Sequence, residues 1–322
     1  MRFLSLLLPG KIPERMPRRR LVVAIFLLAL LTLGGCQSSS SRPIMVFCSP
    51  DSPRLRQLIA GLEAGLGQGA LKKVCVPELG PAGDKALRSI RRHRPRLLVV
   101  LGTPALIMAG PKEKRLPIVF AGVADPFFTG VAYDPEHPEI HQENVTGIAS
   151  PPPMPVALGL GARLLGAATW GMLYDPTDGE AVVLADRFTL LAPRFGLTPV
   201  LETSSSPDTD RPALDRLRAR GAKVIFLPAA ASAARYAPLL MAWGRELKVW
   251  VVSANPEAPH NGAVIRITID YHRLGEETAY LVQQVLNGDP PAKIPIIEST
   301  PLRLQVDEAL LRKWSGYPPP RQ

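Results

Sequence analysis

Two stretches decide the fold of this chain: Leu97-Leu98-Val99-Val100-Leu101-Gly102-Thr103-Pro104 and Ile118-Val119-Phe120-Ala121-Gly122-Val123-Ala124-Asp125-Pro126. Each is an unbroken apolar run that stops at small, hydroxyl or acidic residues followed by proline. A strand half-exposed to water alternates apolar and polar residues. A strand buried on both faces does not, and that is the pattern of parallel strands covered by helices. Working outward, Ile44–Cys48 and Lys73–Val76 read as further strands. Ser52–Leu66 and Asp84–His93 carry apolar residues at three- and four-residue spacing and read as amphipathic helices. This βαβα rhythm predicts an α/β fold with a parallel sheet.

Pro151-Pro152-Pro153-Met154-Pro155 interrupts the rhythm, because proline lacks the amide hydrogen and disfavours helix in the residue before it. It reads as a crossing between domains, with a helix starting near Val156. The rhythm then resumes. Strands are predicted at Thr169–Tyr174, Thr198–Glu202, Lys223–Leu227, Lys248–Ser253 and Gly262–Ile269. Helices are predicted at Glu180–Phe195, Arg211–Arg220, Ala233–Glu246 and Tyr271–Leu286. The tail, with Pro290, Pro291, Pro295 and Pro318–Pro320, is expected to lie along the surface.

The N-terminal region reads as a lipoprotein export signal. Arg18-Arg19-Arg20 precedes an apolar run of 13 residues, Leu21–Leu33, then Gly34-Gly35-Cys36 and a serine-rich tether. The run is too short to span a membrane, which takes about 20 apolar residues. Leu33-Gly34-Gly35-Cys36 fits a lipobox, with cleavage before Cys36 and lipid on its thiol. Residues 1–35 are thus the expected signal and 36–42 the tether. Met16 would start a signal of ordinary length by itself. Residues 1–35 hold six basic residues and one acid, so the formal charge of +10 falls to +5 in the mature chain. Export and a solvated basic helix end at Arg88–Arg96 argue against a nucleic-acid partner. An oxidising compartment would permit a Cys48–Cys75 disulfide, but spacing alone leaves two buried thiols equally open.

No catalytic constellation appears. His137 and His141 have metal-like spacing, but Pro138 between them favours a polar loop over a helical metal site. Gly159, Gly161 and Gly166 follow prolines rather than a strand, which excludes a dinucleotide fingerprint. No cofactor and no enzymatic activity are expected. Ligands of parallel sheets sit beyond the carboxyl ends of the strands. Those ends carry Ser49, Thr103 and Asp125 in the first half, and Asp175, Ser253 and Asn255 in the second. Each can cap the following helix, contact a ligand, or do both.

Leu116–Pro126, Gly130, Asn144-Val145-Thr146-Gly147, Gly221–Phe226, Gly262-Ala263 and Ile269-Asp270-Tyr271-His272-Arg273-Leu274-Gly275 with Thr278-Ala279 stand in the order found in a known family. The chain resembles the ABC-transporter substrate-binding proteins that include tryptophan- and tyrosine-type binders. The resemblance implies a two-lobed type I periplasmic-binding-protein fold, two Rossmann-like parallel-sheet lobes closing on a ligand about a hinge. The first lobe would comprise 43–150 plus roughly 271–290, and the second 151–270 plus roughly 291–322. It further implies an amino-acid-like or aromatic ligand, with Thr103 and Asp125 as cleft contacts and Tyr271 at a crossing near the cleft.

Two departures bear on that ligand. Pro228-Ala229-Ala230 and Ser253-Ala254-Asn255 stand where the family commonly carries Asp-Asn and Ser-Asp-Glu. A buried ammonium needs an acceptor, so a less charged or more apolar ligand is expected, with Phe127, Phe128 and Tyr236 equally open as cleft walls or as ordinary core. The function implied is a lipid-anchored binder serving an ABC permease and its ATPase. The alternative is a sensor or scaffold with an altered cleft. Either would sit in the cell envelope, facing the periplasm or the extracellular side.

Overall fold

A computed structural model describes residues 42–48, 51–77, 80–166 and 168–315. Cys36, Ser49 and the export signal lie outside them. The first half runs β1 (Ile44–Cys48), α1 (Pro53–Leu66), β2 (Leu71–Cys75), α2 (Gly80–Arg92), β3 (Leu97–Leu101), α3 (Thr103–Ala109), β4 (Ile118–Val123) and β5 (Val145–Ala149). The second half follows with α4 (Met154–Leu165), β6 (Thr169–Tyr174), α5 (Gly179–Leu191), β7 (Thr198–Thr203), α6 (Pro207–Ala219), β8 (Val224–Leu227), α7 (Ala233–Leu247), β9 (Trp250–Ser253) and β10 (Ile265–Ile269). The chain ends with α8 (Tyr271–Asn287), β11 (Ile297–Glu298), β12 (Leu302–Val306) and α9 (Glu308–Ser315).

Two six-stranded sheets result, in the orders β11-β5-β4-β3-β1-β2 and β12-β10-β9-β8-β6-β7. All pairings are parallel except that of β12 with β10. In β1 the strand period sends Met45 and Phe47 into one core layer and Val46 and Cys48 into the other. The second lobe shares one continuous core.

Cys48 faces Cys75 in the β1–β2 register, and the two form a disulfide with Cα atoms 4.5 Å apart. The structure thus selects the bonded alternative. Closing a loop across 27 residues is worth about 3.5 kcal/mol in the chain-entropy treatment.

Helices α1 and α8 touch backbone to backbone. A Cβ placed at Gly61 would lie 1.9 Å from the His272 carbonyl oxygen, and one at Gly275 2.2 Å from that of Leu58. No other residue type fits at this crossing. The contact brings the N-terminal ends of the two helices together, and with them Arg54 and Tyr271.

The lobes are joined by three crossings, after β5, after β10 and between β11 and β12. They are stitched to one another. Ser150 Oγ donates to Ser299 O at 2.8 Å, Thr300 Oγ1 to Pro151 O at 3.3 Å, and the Asp270 amide to Pro301 O at 2.7 Å.

Two expectations about the tail change here. β11 extends the first sheet, so residues from 291 onward do not all belong to the second lobe, and the last crossing falls at 299–301. The tail is also more than a surface strap. β12 pairs with β10, Leu310 and Leu311 pack on the second core, and Trp314 meets Trp250 at 4.8 Å between ring centroids. Helix α5 stops short of the expected Phe195. Ala192–Phe195 tightens into a 3-10 turn at Pro193.

Candidate functional site

The carboxyl ends of both sheets face one seam, and a cavity of about 70 Å³ lies in it. The first lobe and the crossings contribute Arg54, Thr103, Gly122, Ser150 and Tyr271. The second contributes Glu180, Ala229, Ala254 and Pro256. Gly122 adopts φ +65° where the β4–β5 register shifts, a bulge that re-aims the strand end toward the seam.

Arg54 is the centre of the site. It stands in the first turn of α1, whose N-terminus is capped by Ser52 accepting from the Leu55 amide at 3.2 Å. Its guanidinium crosses the seam to Glu257 at 3.3 Å and interacts with the Tyr271 side chain. Burial works against its charge, but Tyr271, Glu180 and Glu257 outweigh it and hold the pKa above the ordinary value. Burial likewise raises the Tyr271 phenol, with Arg54 opposing.

Glu180 enters from the first turn of α5, behind the N-cap Asp178. Its side chain is open to the seam, yet protein surrounds it closely enough that desolvation raises its pKa, with Arg54 opposing and Asp178 adding to the rise. The Ala231 amide opposes the rise as well.

Thr103 and Tyr271 are therefore brought together at the cavity. Asp125 is not one of its lining residues. Its carboxylate accepts from the Phe127 amide at 3.0 Å and pairs across the seam with Arg187 at 3.3 Å. That pair borders a second, larger space of about 530 Å³ on the flank of the crossings, walled by Phe127, Pro151–Pro153, Leu184 and Leu302.

Asp175, Ser253 and Asn255 do not line the cavity either; they hold the second lobe's own loops. Asp175 accepts from the Thr177 hydroxyl and amide at 2.7 and 2.9 Å and lies 3.5 Å from Arg235. The Thr177 hydroxyl is the foremost cause of its lowered pKa. Ser253 Oγ accepts from the Asn255 amide at 3.3 Å. Asn255 Nδ2 donates to the carbonyls of Pro228 and Ala230 at 3.0 and 2.9 Å, so the two unusual loops brace each other and turn Ala229 and Ala254 to the cavity. Buried Arg266 grips the next loop through the carbonyls of Pro256, Ala258 and Pro259, presenting Glu257 to the seam.

The expected aromatic walls are not there. Phe128 is 81% exposed, Tyr236 is core with its hydroxyl on Leu173 O, and Phe127 faces the flank space. His141 turns inward between the carbonyls of Gln142 and Ile294, while His137 stays exposed. Among the described residues no group of three or more His, Cys, Asp or Glu could hold a metal ion. Arg54 and Glu180 line the cavity and Glu257 pairs with Arg54 beside it; the strand-end reading missed all three. Their one sequence signal is a charged residue in or beside a helix start or turn, after Ser52-Pro53, after Asp178-Gly179 and after Asn255-Pro256.

The profile of the ABC transporter substrate binding proteins matches residues 82–314. The chain belongs to this family. Its members bind small molecules and work with ABC transporters, and the two-lobed α/β architecture is theirs. Among solved structures, a Streptococcus pneumoniae ABC domain in complex with L-Trp is similar at 20% identity and TM-score 0.66, over 84% of this chain and 94% of that one. A ligand-free, open substrate-binding protein with adhesive properties from Clostridium difficile is similar at 21% identity and TM-score 0.74, over 87% and 96%. An arabinose-binding protein from Geobacillus stearothermophilus shares the fold at 10% identity and TM-score 0.62, over 83% and 98%. No curated protein matches.

Proposed function

We propose that this substrate-binding protein is held in the cell envelope by lipid on Cys36 and closes its two lobes on a small organic ligand for delivery to an ABC permease and its ATPase. The observation that carries the reading is the seam cavity, where charged and hydroxyl groups of both lobes and the crossings converge on one space. A ligand bound there favours the closed lobes by its differential affinity for them, and closure is what a permease can read. The Cys48–Cys75 disulfide supports an oxidising compartment. A serine-rich tether keeps the binder at high local concentration near its membrane partner.

Thermal-shift screening of the purified protein against amino acids, aromatic acids, amines and nucleosides tests binding. Saturable stabilisation is expected, and silence across the panel would contradict the reading. Labelled fatty acid should appear in the parent protein and not in Cys36→Ser. A second reading, a sensor or scaffold acting through protein contacts, is favoured by the ion pairs that already span the seam, Arg54–Glu257 and Asp125–Arg187. Under that reading, capture by a partner would not respond to any small molecule.

A further inference from the structure

We infer that the amino-end face of the first sheet is a second membrane contact, where Arg42, Lys72, Arg92, Arg94 and Arg96 dock on anionic lipid headgroups. The inference rests on the lipid anchor proposed at Cys36 and says how the anchored molecule stands on its membrane.

Topology gathers the five charges. The parallel pairing of β1 with β2 and β3 puts their amino ends together, on the face opposite the seam. Ile44 pairs with both Leu71 and Leu97, and the Arg96 amide donates to Pro43 O at 3.0 Å. Arg42, Lys72 and Arg96 therefore stand at neighbouring strand starts. The strand period turns Lys72 to the same side as Val74, which packs in the layer that α2 covers. Helix α2 runs back to this face and ends there with Arg92, and Arg94 follows in the turn to β3. All five residues are exposed.

The charges are also unmatched. None of the five has an ion-pair partner among the described residues, whereas the carboxylates of adjoining elements are taken. Glu63 pairs with Lys73, Asp84 with Lys112 and Glu113 with Arg91. The α2 dipole favours Arg91 and Arg92 in its last turn. It gives no reason for Arg42, Lys72, Arg94 or Arg96, which lie outside that helix.

The tether decides what meets this face. Arg42 is six residues from Cys36, a span of at most about 22 Å when fully extended. Lipid on Cys36 thus holds the first-lobe base at the bilayer. Arg218 and Lys248, at the amino ends of the second sheet, lie beyond the seam at the far end. A patch of about four to eight basic residues beside an anchor is the size that recognises anionic lipid, and it adds the second signal that firm attachment uses. Docked in this way, the first lobe is held still. The seam, about 17 Å away along a five-residue strand, stays open to ligand with the second lobe free to close.

The test uses the lipidated parent protein in vesicles of phosphatidylcholine alone or mixed with phosphatidylglycerol. Arginines are labelled by phenylglyoxal under single-hit conditions and read by mass spectrometry. Labelling of Arg92 and Arg96 should slow at least tenfold in the anionic vesicles only, and 1 M salt, with a Debye length of about 3 Å, should restore it. Arg218 should label equally in all. Arg94 and Lys248 both adopt left-handed backbone, φ +45° and +53°, so glycine at either position should leave the melting temperature at or above that of the parent. Arg94→Gly should cut the protection of Arg92 and Arg96 about fivefold, the share of one basic residue, and Lys248→Gly should leave it unchanged. Equal protection in phosphatidylcholine, equal protection of Arg218, or equal effects of the two glycine variants would overturn the inference. So would no protection at all, with the Cys36 anchor left standing. Absence of fatty acid from Cys36 removes the anchor reading and this inference with it.

Discussion

The two lobes share a sheet topology but hold their seam-facing residues by different means. The first lobe relies on backbone and covalent geometry: the α1–α8 contact at Gly61 and Gly275, the bulge at Gly122 and the Cys48–Cys75 disulfide. The second relies on buried polar side chains. Arg235 donates to both Asp210 oxygens at 2.7 Å and to Ser204 O at 3.0 Å, Asn255 braces the Pro228–Ala230 loop, and Arg266 grips the loop carrying Glu257. Steric devices fail only when a residue is changed. Charged networks, such as those that hold the second lobe's loops, also fail when pH changes.

All four tryptophans, Trp170, Trp243, Trp250 and Trp314, lie in the second lobe, which makes their fluorescence a reporter for that lobe alone. Arg235→Ala strands the buried Asp210 carboxylate, 2% exposed, and should cost about 3–5 kcal/mol, seen as an early tryptophan transition. Acid should weaken the same lobe. The Asp175 carboxyl is lowered by Thr177, so its stabilisation is full above the ordinary carboxylate range and is lost as pH falls through its lowered pKa. Asp270, at a crossing and paired with Arg303 at 2.8 Å, follows the same sign. A tryptophan transition that ignores both changes would erase the contrast between the lobes.

Replacing both Cys48 and Cys75 by alanine should cost about 3.5 kcal/mol, on the order of 10 °C in melting. Circular dichroism should register that loss before tryptophan fluorescence does. Asn255→Ala should cost roughly 1–3 kcal/mol by leaving two carbonyls unpaired and should weaken ligand binding by loosening Ala229 and Ala254. Arg187→Ala should cost less than about 1 kcal/mol, because its pair with Asp125 is 39% and 26% exposed. A large effect there would mean that the flank pair, rather than Arg54–Glu257, governs closure.

Most strands of the two sheets were legible because parallel strands buried on two faces leave continuous apolar runs, as at Leu97–Leu101 and Ile118–Val123; β5, just as buried, escaped because Thr146 and Gly147 break its apolar run. β11, with both residues exposed, and β12, mostly exposed, lack that signature and escaped it. At the site, Thr103 and Tyr271 followed from the strand-end rule and the family resemblance. Asp175, Ser253 and Asn255 obey the same rule but are consumed by bonds within their own lobe. Arg54, Glu180 and Glu257 look like ordinary surface charges along the chain. Their role arises only because α1, α5 and the loop after β9 meet at one seam, a relation no local pattern encodes.

The most direct test of the account fills the seam. Ala229→Trp places a bulky side chain where a methyl now lines the cavity and leaves the charged residues in place. For whichever compound best stabilises the parent protein, the account predicts loss of that stabilisation in the variant. The melting temperature of the variant alone should stay within about 4 °C of the parent, a change of roughly 1 kcal/mol. Undiminished ligand stabilisation in a folded Ala229→Trp protein would show that the ligand binds elsewhere.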